Sequence, residues 1–94
     1  MLPIRRLPTF KKDYKRVKQR GKDLVELNEV IVMLAKEEEL PHAYDDHALY
    51  GEWAGHRECH IEGDWLLIYK VEGNALYLVR TGTHRELFRS WRGK

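Results

Sequence analysis

The chain has 94 residues, of which 43% are hydrophobic and 34% charged, and its formal net charge at pH 7 is +2. This length allows a single domain over residues 1–94 with one core and leaves no room for a second. No run approaches the roughly 20 apolar residues that span a bilayer, and the N-terminus lacks the apolar segment of a signal peptide. We therefore expect a cytoplasmic protein with no membrane association.

The small net charge hides a strong asymmetry along the chain. Residues 1–22 contain nine Lys or Arg and one acid, a net of +8, whereas residues 23–46 contain eight acids and one Lys, a net of −7. Residues 47–94 contain seven bases and six acids, a net of +1. A basic N-terminal segment suits a polyanion, because each Lys or Arg near a phosphate releases condensed counterions on binding. Charge alone equally allows a solvated helix face without a partner.

The first 40 residues predict a short edge strand followed by a hairpin of two helices. Residues 2–7 are mostly apolar and are interrupted or followed by prolines, which is typical of an edge strand. Thr9 is expected to cap a helix over residues 10–20. Asp23 followed by Glu26 predicts a capping box at the start of a second, apolar-striped helix. The outer face of the first helix carries basic residues: Lys11, Lys12, Lys15, Arg16 and Lys18.

After residue 40 the helical period disappears, and short segments separated by Gly, Asn and Asp follow. They predict four strands in an antiparallel meander, over residues 48–50, 57–61, 65–71 and 75–81. The third of these strands is apolar on both faces, so it is expected to be central, with the two helices covering one face. Thr83 with Glu86 repeats the capping-box pattern and predicts a last helical turn that reaches Trp91. The predicted fold class is α+β.

Residues suited to proton transfer lie at or near the predicted strand ends and turns: His47, His60, Asp64, Arg80 and His84. Cleavage of RNA by its own 2′-hydroxyl needs a base for that proton, an acid for the leaving 5′-oxygen and a cation for the charge on the phosphorane. Histidine titrates near neutral pH and serves either proton role, and a guanidinium matches phosphate oxygens in a bidentate fork. Residue type alone favours ordinary surface or core histidines over catalytic ones.

Metal binding is the rival interpretation for the same side chains. His56 and His60 flank Cys59, but at about 3.3 Å per residue of strand the two histidines are too far apart to share one ion, and Cys59 points the other way. We therefore predict no metal site and no cofactor. Cys59 is expected to be a buried small hydrophobe and not a nucleophile, because no helix N-terminus lowers its pKa.

Aromatic side chains are a possible means of holding unpaired RNA bases, which stack on such rings. The aromatic residues considered for this role are Tyr44, Tyr50, Trp53, Trp65, Phe88 and Trp91. Most are expected to belong to the core. Phe88 is singled out for a base contact because arginines flank it, with packing against the sheet as the equal alternative.

The second half contains four ordered blocks: residues 46–53 (DHALYGEW), 57–61 (RECHI), 64–70 (DWLLIYK) and 80–84 (RTGTH), the last followed by Leu87 and Phe88. Together these blocks resemble the YafQ-like toxins of the RelE superfamily. The first half is similar only in pattern. The resemblance implies a RelE-like microbial RNase fold: an N-terminal edge strand, a two-helix hairpin packed on an antiparallel meander and a short C-terminal helix. It also implies a type II toxin that cuts mRNA in the ribosomal A site, without a metal, and is neutralised by a cognate antitoxin.

Six residues match the family's catalytic, phosphate-binding and base-orienting positions: His47, His60, Asp64, His84, Arg80 and Phe88. The resemblance implies His84 as general acid, and Asp64 as general base with His60 beside it. It implies His47 as a transition-state or phosphate contact and Arg80 as the charge stabiliser. Whether Asp64, His60 or His47 takes the 2′-proton stays open.

Given this resemblance, we expect the basic first helix to bind ribosomal RNA through Lys11, Lys12, Lys15 and Arg16. Antitoxins of such toxins are usually acidic and partly disordered, so we expect the same face to serve inhibitor and target. Two alternatives to a nuclease remain. A gyrase-inhibiting toxin of the ParE branch shares the fold but lacks the histidine and aspartate set, and a non-catalytic RNA-binding module would use the histidines only to contact phosphates.

Overall fold

The computed structural model describes residues 1–88, which form five strands and three helices. Short 3₁₀ turns precede and follow the second strand. The predicted continuation of the last helix to Trp91 lies outside the described residues. The elements in chain order are β1 (Ile4–Arg6), α1 (Pro8–Gln19), α2 (Leu24–Ala35), β2 (His47–Ala48), β3 (Arg57–Glu62), β4 (Trp65–Glu72), β5 (Ala75–Thr83) and α3 (His84–Phe88).

The five strands form one sheet in the order β1-β5-β4-β3-β2. Strands β2 to β5 are antiparallel neighbours, which confirms the meander, and β1 is an edge strand as predicted. The sheet is nevertheless mixed, because β1 pairs with β5 in parallel, with Ile4 opposite Leu76. The sequence predicted the edge position of β1 but not its direction, which depends on the crossover through α1 and α2.

Strand β4 lies in the middle of the sheet and is buried on both faces, as the apolar run over residues 65–71 predicts. Trp65, Leu67 and Tyr69 belong to the larger core, which the helices α1 and α2 cover. Leu66 and Ile68 belong to a smaller core on the opposite face, where α3 packs. The prediction of a single core was therefore wrong: the sheet separates two cores, and helices cover both of its faces.

Helix α2 begins where the sequence predicts. The Asp23 side chain accepts a hydrogen bond of 3.0 Å from the backbone N–H of Val25. Glu26 does not complete the predicted capping box, because its carboxylate accepts a hydrogen bond from the Tyr44 hydroxyl, 3.3 Å away. This contact ties α2 to the turn before β2.

The starts of α1 and α3 differ in how well the sequence predicts them. Helix α1 begins at Pro8, which has no N–H to be capped, and the hydroxyl of Thr9 donates instead to the carbonyl of Val79 at 2.7 Å. Thr9 therefore joins the helix to β5 and is not its cap. The capping box of α3 is confirmed: Thr83 and Glu86 exchange hydrogen bonds of 3.0 and 3.2 Å.

Helix α1 is held against β5 by the carboxylate of Asp13, which is 2% exposed. It accepts hydrogen bonds from Arg80 Nε at 2.6 Å, Arg80 Nη2 at 3.2 Å and the Thr81 N–H at 3.1 Å, and Arg16 Nη2 lies 2.9 Å away. Because β1 pairs with β5 only as far as Leu78, Asp13 supplies the acceptor that a neighbouring strand would otherwise provide to Thr81. No helix within residues 1–88 is long and apolar enough to cross a membrane.

Candidate active site

The three predicted histidines come together around the carboxylate of Glu58, a residue outside the predicted set. Its Oε2 lies 3.0 Å from His47 Nε2, 3.6 Å from His60 Nε2 and 3.8 Å from His84 Nε2. Glu58 is 4% exposed, whereas the three histidine side chains are 28–49% exposed. The cluster is therefore closed on the side of the sheet and open to solvent on the side of the imidazoles.

Strand pairing explains why these residues meet. His47 of β2 lies directly opposite Glu58 of β3, and His60 projects from the same face of β3 as Glu58 because it is two residues further along. His84 begins α3 at the end of β5. The His60 ring lies 6.3 Å from the His47 ring and 5.6 Å from the His84 ring, so the sheet gathers three distant segments at one place.

Asp64, in the turn between β3 and β4, joins the cluster through His84. His84 Nδ1 lies 2.7 Å from Asp64 Oδ1, and the hydrogen bond that His84 donates lowers the pKa of Asp64. An ionised carboxylate only accepts hydrogen bonds, so the proton is on Nδ1, and Nε2 is the nitrogen that faces Glu58. A lowered pKa also makes Asp64 a weaker base, which favours an orienting role over the proton abstraction that the resemblance implies.

His47 is held by a backbone carbonyl on one side and by Glu58 on the other. Its Nδ1 lies 2.7 Å from the carbonyl oxygen of Asp45, a residue with φ of 48° that ends the turn before β2. Both ring nitrogens thus face oxygen acceptors. A doubly protonated, positively charged imidazole satisfies both of them.

Glu58 was missed because an acid within a strand carries no motif of its own. The alternation of side chains along β3 could have indicated it. Glu58 and His60 alternate with Cys59 and Ile61, which are buried in the larger core, so Glu58 and His60 share the opposite face. Glu58 Oε1 is buried and receives no hydrogen bond from the described residues. A buried carboxylate is costly unless cations lie near it, and the surrounding imidazoles, when protonated, offset that cost.

Arg80, expected to stabilise charge on the phosphate, is bound to Asp13 through Nε and Nη2. Its side chain is 26% exposed. The structure therefore ties Arg80 to α1, and the contacts seen for it within residues 1–88 do not include the three histidines. A guanidinium has five N–H groups, so two bonds to Asp13 leave others for a phosphate.

The predicted RNA-binding residues of α1 divide into two groups. Lys11, Lys12 and Lys15 are exposed, in agreement with the outer face predicted for them. Arg16 is only partly exposed and forms ion pairs with Asp13 at 2.9 Å and with Glu86 at 3.4 Å. Arg16 thus lies at the edge of the outer face, with its guanidinium turned towards the acids that join α1 to β5 and α3.

Phe88 lies beside the cluster, with its ring 5.9 Å from that of His84. It also packs against the smaller core, so the structural role considered for it is present. The ring of Trp53, from the loop between β2 and β3, also lies 5.9 Å from the Phe88 ring. Phe88 thus connects the acid–base cluster to a second aromatic side chain.

One group within residues 1–88 has the donors and spacing for a metal ion. Glu58, His60 and His84 each offer one ligand atom, and these atoms lie within 4.8 Å of one another. Imidazole and carboxylate ligands suit ions such as Zn²⁺ and Cu²⁺. Cys59 is not part of this group: it is fully buried, which confirms the prediction, and burial raises the pKa of its thiol.

Comparison with known proteins identifies the family and agrees with the fold. The family model described as the bacterial toxin of type II toxin-antitoxin systems, YafQ, matches residues 2–89. The mRNA interferase toxin YafQ of Escherichia coli strain K12 is 42% identical over 80 residues, which are 84% of this chain and 87% of that protein.

Two solved structures resemble the whole described fold. A copper-bound mutant toxin from Helicobacter pylori has a TM-score of 0.91 and 44% identity over 94% of this chain and 100% of its own. The E. coli DinJ–YafQ complex contains a chain with a TM-score of 0.86 and 39% identity over 94% of this chain and 99% of its own. The mixed sheet flanked by helices is thus the fold of a class of small bacterial toxins. This chain belongs to the YafQ family of type II toxin-antitoxin systems.

Proposed function

We propose that this chain is a ribosome-dependent endoribonuclease that cleaves mRNA in the A site by attack of the 2′-hydroxyl on the adjacent phosphate. The observation that carries the proposal is the convergence of His47, His60 and His84 on the buried carboxylate of Glu58. The name of the E. coli relative, an mRNA interferase, supports the same activity. Such an enzyme acts where translation takes place, so we propose a cytoplasmic location.

Proton transfer is divided between two imidazoles. His60 takes the 2′-proton as the 2′-oxygen bonds to phosphorus, with the Glu58 carboxylate stabilising the imidazolium that forms. His84 gives a proton to the 5′-oxygen as its bond to phosphorus breaks, which leaves a 2′,3′-cyclic phosphate and a 5′-hydroxyl. Asp64 holds His84 in the required orientation through Nδ1. This assignment replaces Asp64 by His60 as the base, because the pKa of Asp64 is lowered.

Charge on the phosphorane is held by two cations. His47, between two acceptors, suits the protonated form, and Arg80 offers the N–H groups that Asp13 does not use. Fixed donors of this kind stabilise developing charge without the reorganisation that water requires. Phe88, beside His84, orients the base of the cleaved nucleotide.

Primer extension on a translated mRNA tests the proposal. We expect cleavage within codons by the wild-type chain and strongly reduced cleavage by His84→Ala. His42→Ala is the matched control, since His42 is an exposed histidine in the turn before β2 and is not part of the cluster. Intact transcripts in every sample would contradict the nuclease, and inhibition of gyrase by the same wild-type chain would favour the ParE-like alternative.

Metal independence is part of the proposal, and removal of metal ions tests it. We expect unchanged cleavage by a chain that is dialysed against EDTA and then assayed on ribosomes in Mg²⁺ buffer, because every proton transfer is assigned to a side chain. Added Cu²⁺ is expected to inhibit, since an ion on Glu58, His60 and His84 occupies the nitrogens that transfer protons. Loss of cleavage by the dialysed chain, with recovery on adding back a transition-metal ion, would overturn this point.

The exposed lysines of α1 are proposed to contact ribosomal RNA. Reversing Lys11, Lys12 and Lys15 to Glu is expected to weaken ribosome binding and to reduce the slope of log affinity against log salt by about three, roughly one unit for each lost phosphate contact. Filter binding over a range of salt concentrations measures both quantities.

The control for the lysines compares two single charge reversals. Lys12→Glu and Lys36→Glu change the net charge equally, and both side chains are exposed, but Lys36 follows α2. If both variants bind alike, net charge and not the α1 surface governs binding. Arg16 is left unchanged because its ion pairs hold α1 in place.

A cognate antitoxin is the proposed protein partner. The E. coli relative has been solved as a DinJ–YafQ toxin–antitoxin complex. Acidic, partly disordered segments suit the lysine-rich face of α1, which is also the proposed ribosome contact. Binding of inhibitor and ribosome at one surface would make the two mutually exclusive.

A further inference from the structure

An aromatic series leads away from His84 towards the loop between β2 and β3. The ring of Phe88 lies 5.9 Å from His84, and the indole of Trp53 meets Phe88 edge to face at 5.9 Å and 82°. Trp53 in turn contacts the His56 ring at 5.3 Å and 89°. Trp53 is therefore separated from the acid–base cluster by a single ring.

The loop that carries Trp53 is held in place by its own backbone. The His56 N–H donates to the Trp53 carbonyl at 3.0 Å, and the Leu49 N–H donates to the His56 carbonyl at 2.9 Å. Gly51 and Gly55 have φ of 65° and 89°, values that glycine adopts without the strain imposed on other residues. The indole is thus presented from a defined loop conformation.

The two tryptophans within residues 1–88 differ in burial and in the hydrogen bonding of their indole N–H groups. Trp65 is 1% exposed, and its Nε1 donates a hydrogen bond of 2.8 Å to Thr81 Oγ1. Trp53 is partly exposed, and its Nε1 has no acceptor among residues 1–88. Buried Trp N–H groups usually have a hydrogen-bond partner within the protein. Because Trp53 has none among residues 1–88, its N–H and the exposed part of its ring are available to a ligand.

We propose that Trp53 is a second nucleobase-binding position, beside Phe88, for unpaired mRNA that flanks the cleaved bond. The inference rests on the proposed nuclease function and extends it. An unpaired strand crossing the cluster presents successive bases, and Trp53 is the next ring beyond Phe88 in the series. Base stacking on an aromatic ring tolerates any base, so Trp53 contributes to affinity for the strand, and the indole N–H adds a donor for a base edge.

A pair of substitutions separates stacking from packing. Trp53→Phe keeps an aromatic face, whereas Trp53→Leu keeps an apolar side chain against the smaller core but has no π surface. We expect Trp53→Leu to raise KM for ribosome-bound mRNA by about 5-fold or more, within the range that one base–aromatic stack contributes. Trp53→Phe should stay within about twofold of wild type, and kcat should be unchanged in both.

Tyr50→Leu is the matched control, because Tyr50 is an aromatic residue of the same loop that is 79% exposed and is not part of the ring series. Its KM should equal that of wild type. Equal KM for Trp53→Leu and wild type, equal losses in the Leu and Phe variants, or the same loss in Tyr50→Leu would each overturn the proposal.

The two proposals fail in distinguishable ways. A wild-type chain that does not cleave ribosome-bound mRNA contradicts the nuclease function itself. A wild-type chain that cleaves, with a Trp53→Leu variant that has unchanged KM, contradicts only the second base position. Thermal unfolding of the Leu and Phe variants completes the test, since a loss of activity that follows a loss of stability in both would assign Trp53 to packing alone.

Discussion

Replacement of His84 by alanine is expected to lower the rate constant of mRNA cleavage by about 10²-fold or more, the usual contribution of one positioned general acid. The structure supplies the reason. His84 is fixed through Nδ1 by Asp64 at 2.7 Å, so its Nε2 is presented beside Glu58 and His60. Alanine removes the proton donor and leaves the 5′-oxygen to depart without protonation.

Single-turnover cleavage of mRNA on ribosomes programmed with one codon measures this rate constant. Asp64→Asn is an informative companion, because it keeps an oxygen that accepts from His84 but removes the negative charge. We expect it to reduce the rate constant less than His84→Ala does. A loss below tenfold for His84→Ala would remove this residue from the role of general acid.

Replacement of Asp13 by alanine is expected to lower the free energy of unfolding by about 3 kcal/mol. Breaking a buried ion pair costs roughly 3–5 kcal/mol, and the lower end applies because Arg80 and Arg16 are partly exposed. Alanine removes the acceptor of two Arg80 bonds and of the Thr81 N–H, all on a carboxylate that is 2% exposed. The contact between α1 and β5 is therefore the part of the fold most sensitive to this change.

Urea or thermal unfolding of the purified chain measures the loss. For a domain of this size about 3 kcal/mol corresponds to a decrease in Tm of roughly 12 °C or more. Asp13→Asn is the control, since its amide oxygen still accepts from Thr81, and a smaller decrease is expected. A change below about 1 kcal/mol for Asp13→Ala would show that the Arg80 ion pair is solvated and contributes like a surface pair.

Local pattern by itself determined the elements of this protein. The run over residues 65–71 specifies a central strand. Successive side chains of a strand point to opposite faces, and this run places apolar side chains on both, so both faces are expected to be buried. Asp23 and the Thr83–Glu86 pair specify the starts of α2 and α3, since capping joins residues only two or three apart. The resemblance in four short blocks then indicated the family.

Only the tertiary structure decided the parallel pairing of β1, the ion pair between Asp13 and Arg80, and the place of Glu58 beneath three histidines. Asp13 and Arg80 are 67 residues apart, so nothing in the neighbourhood of either one indicates the other. The sequence around Glu58 does not distinguish it from other acids in strands. Its role depends on the sheet, in which β2, β4 and β5 bring His47 and His84 beside it. Such contacts depend on which distant segments become neighbours in the sheet. Local periodicity assigns each side chain to a face of its strand, but it does not say which residue of a distant strand lies opposite.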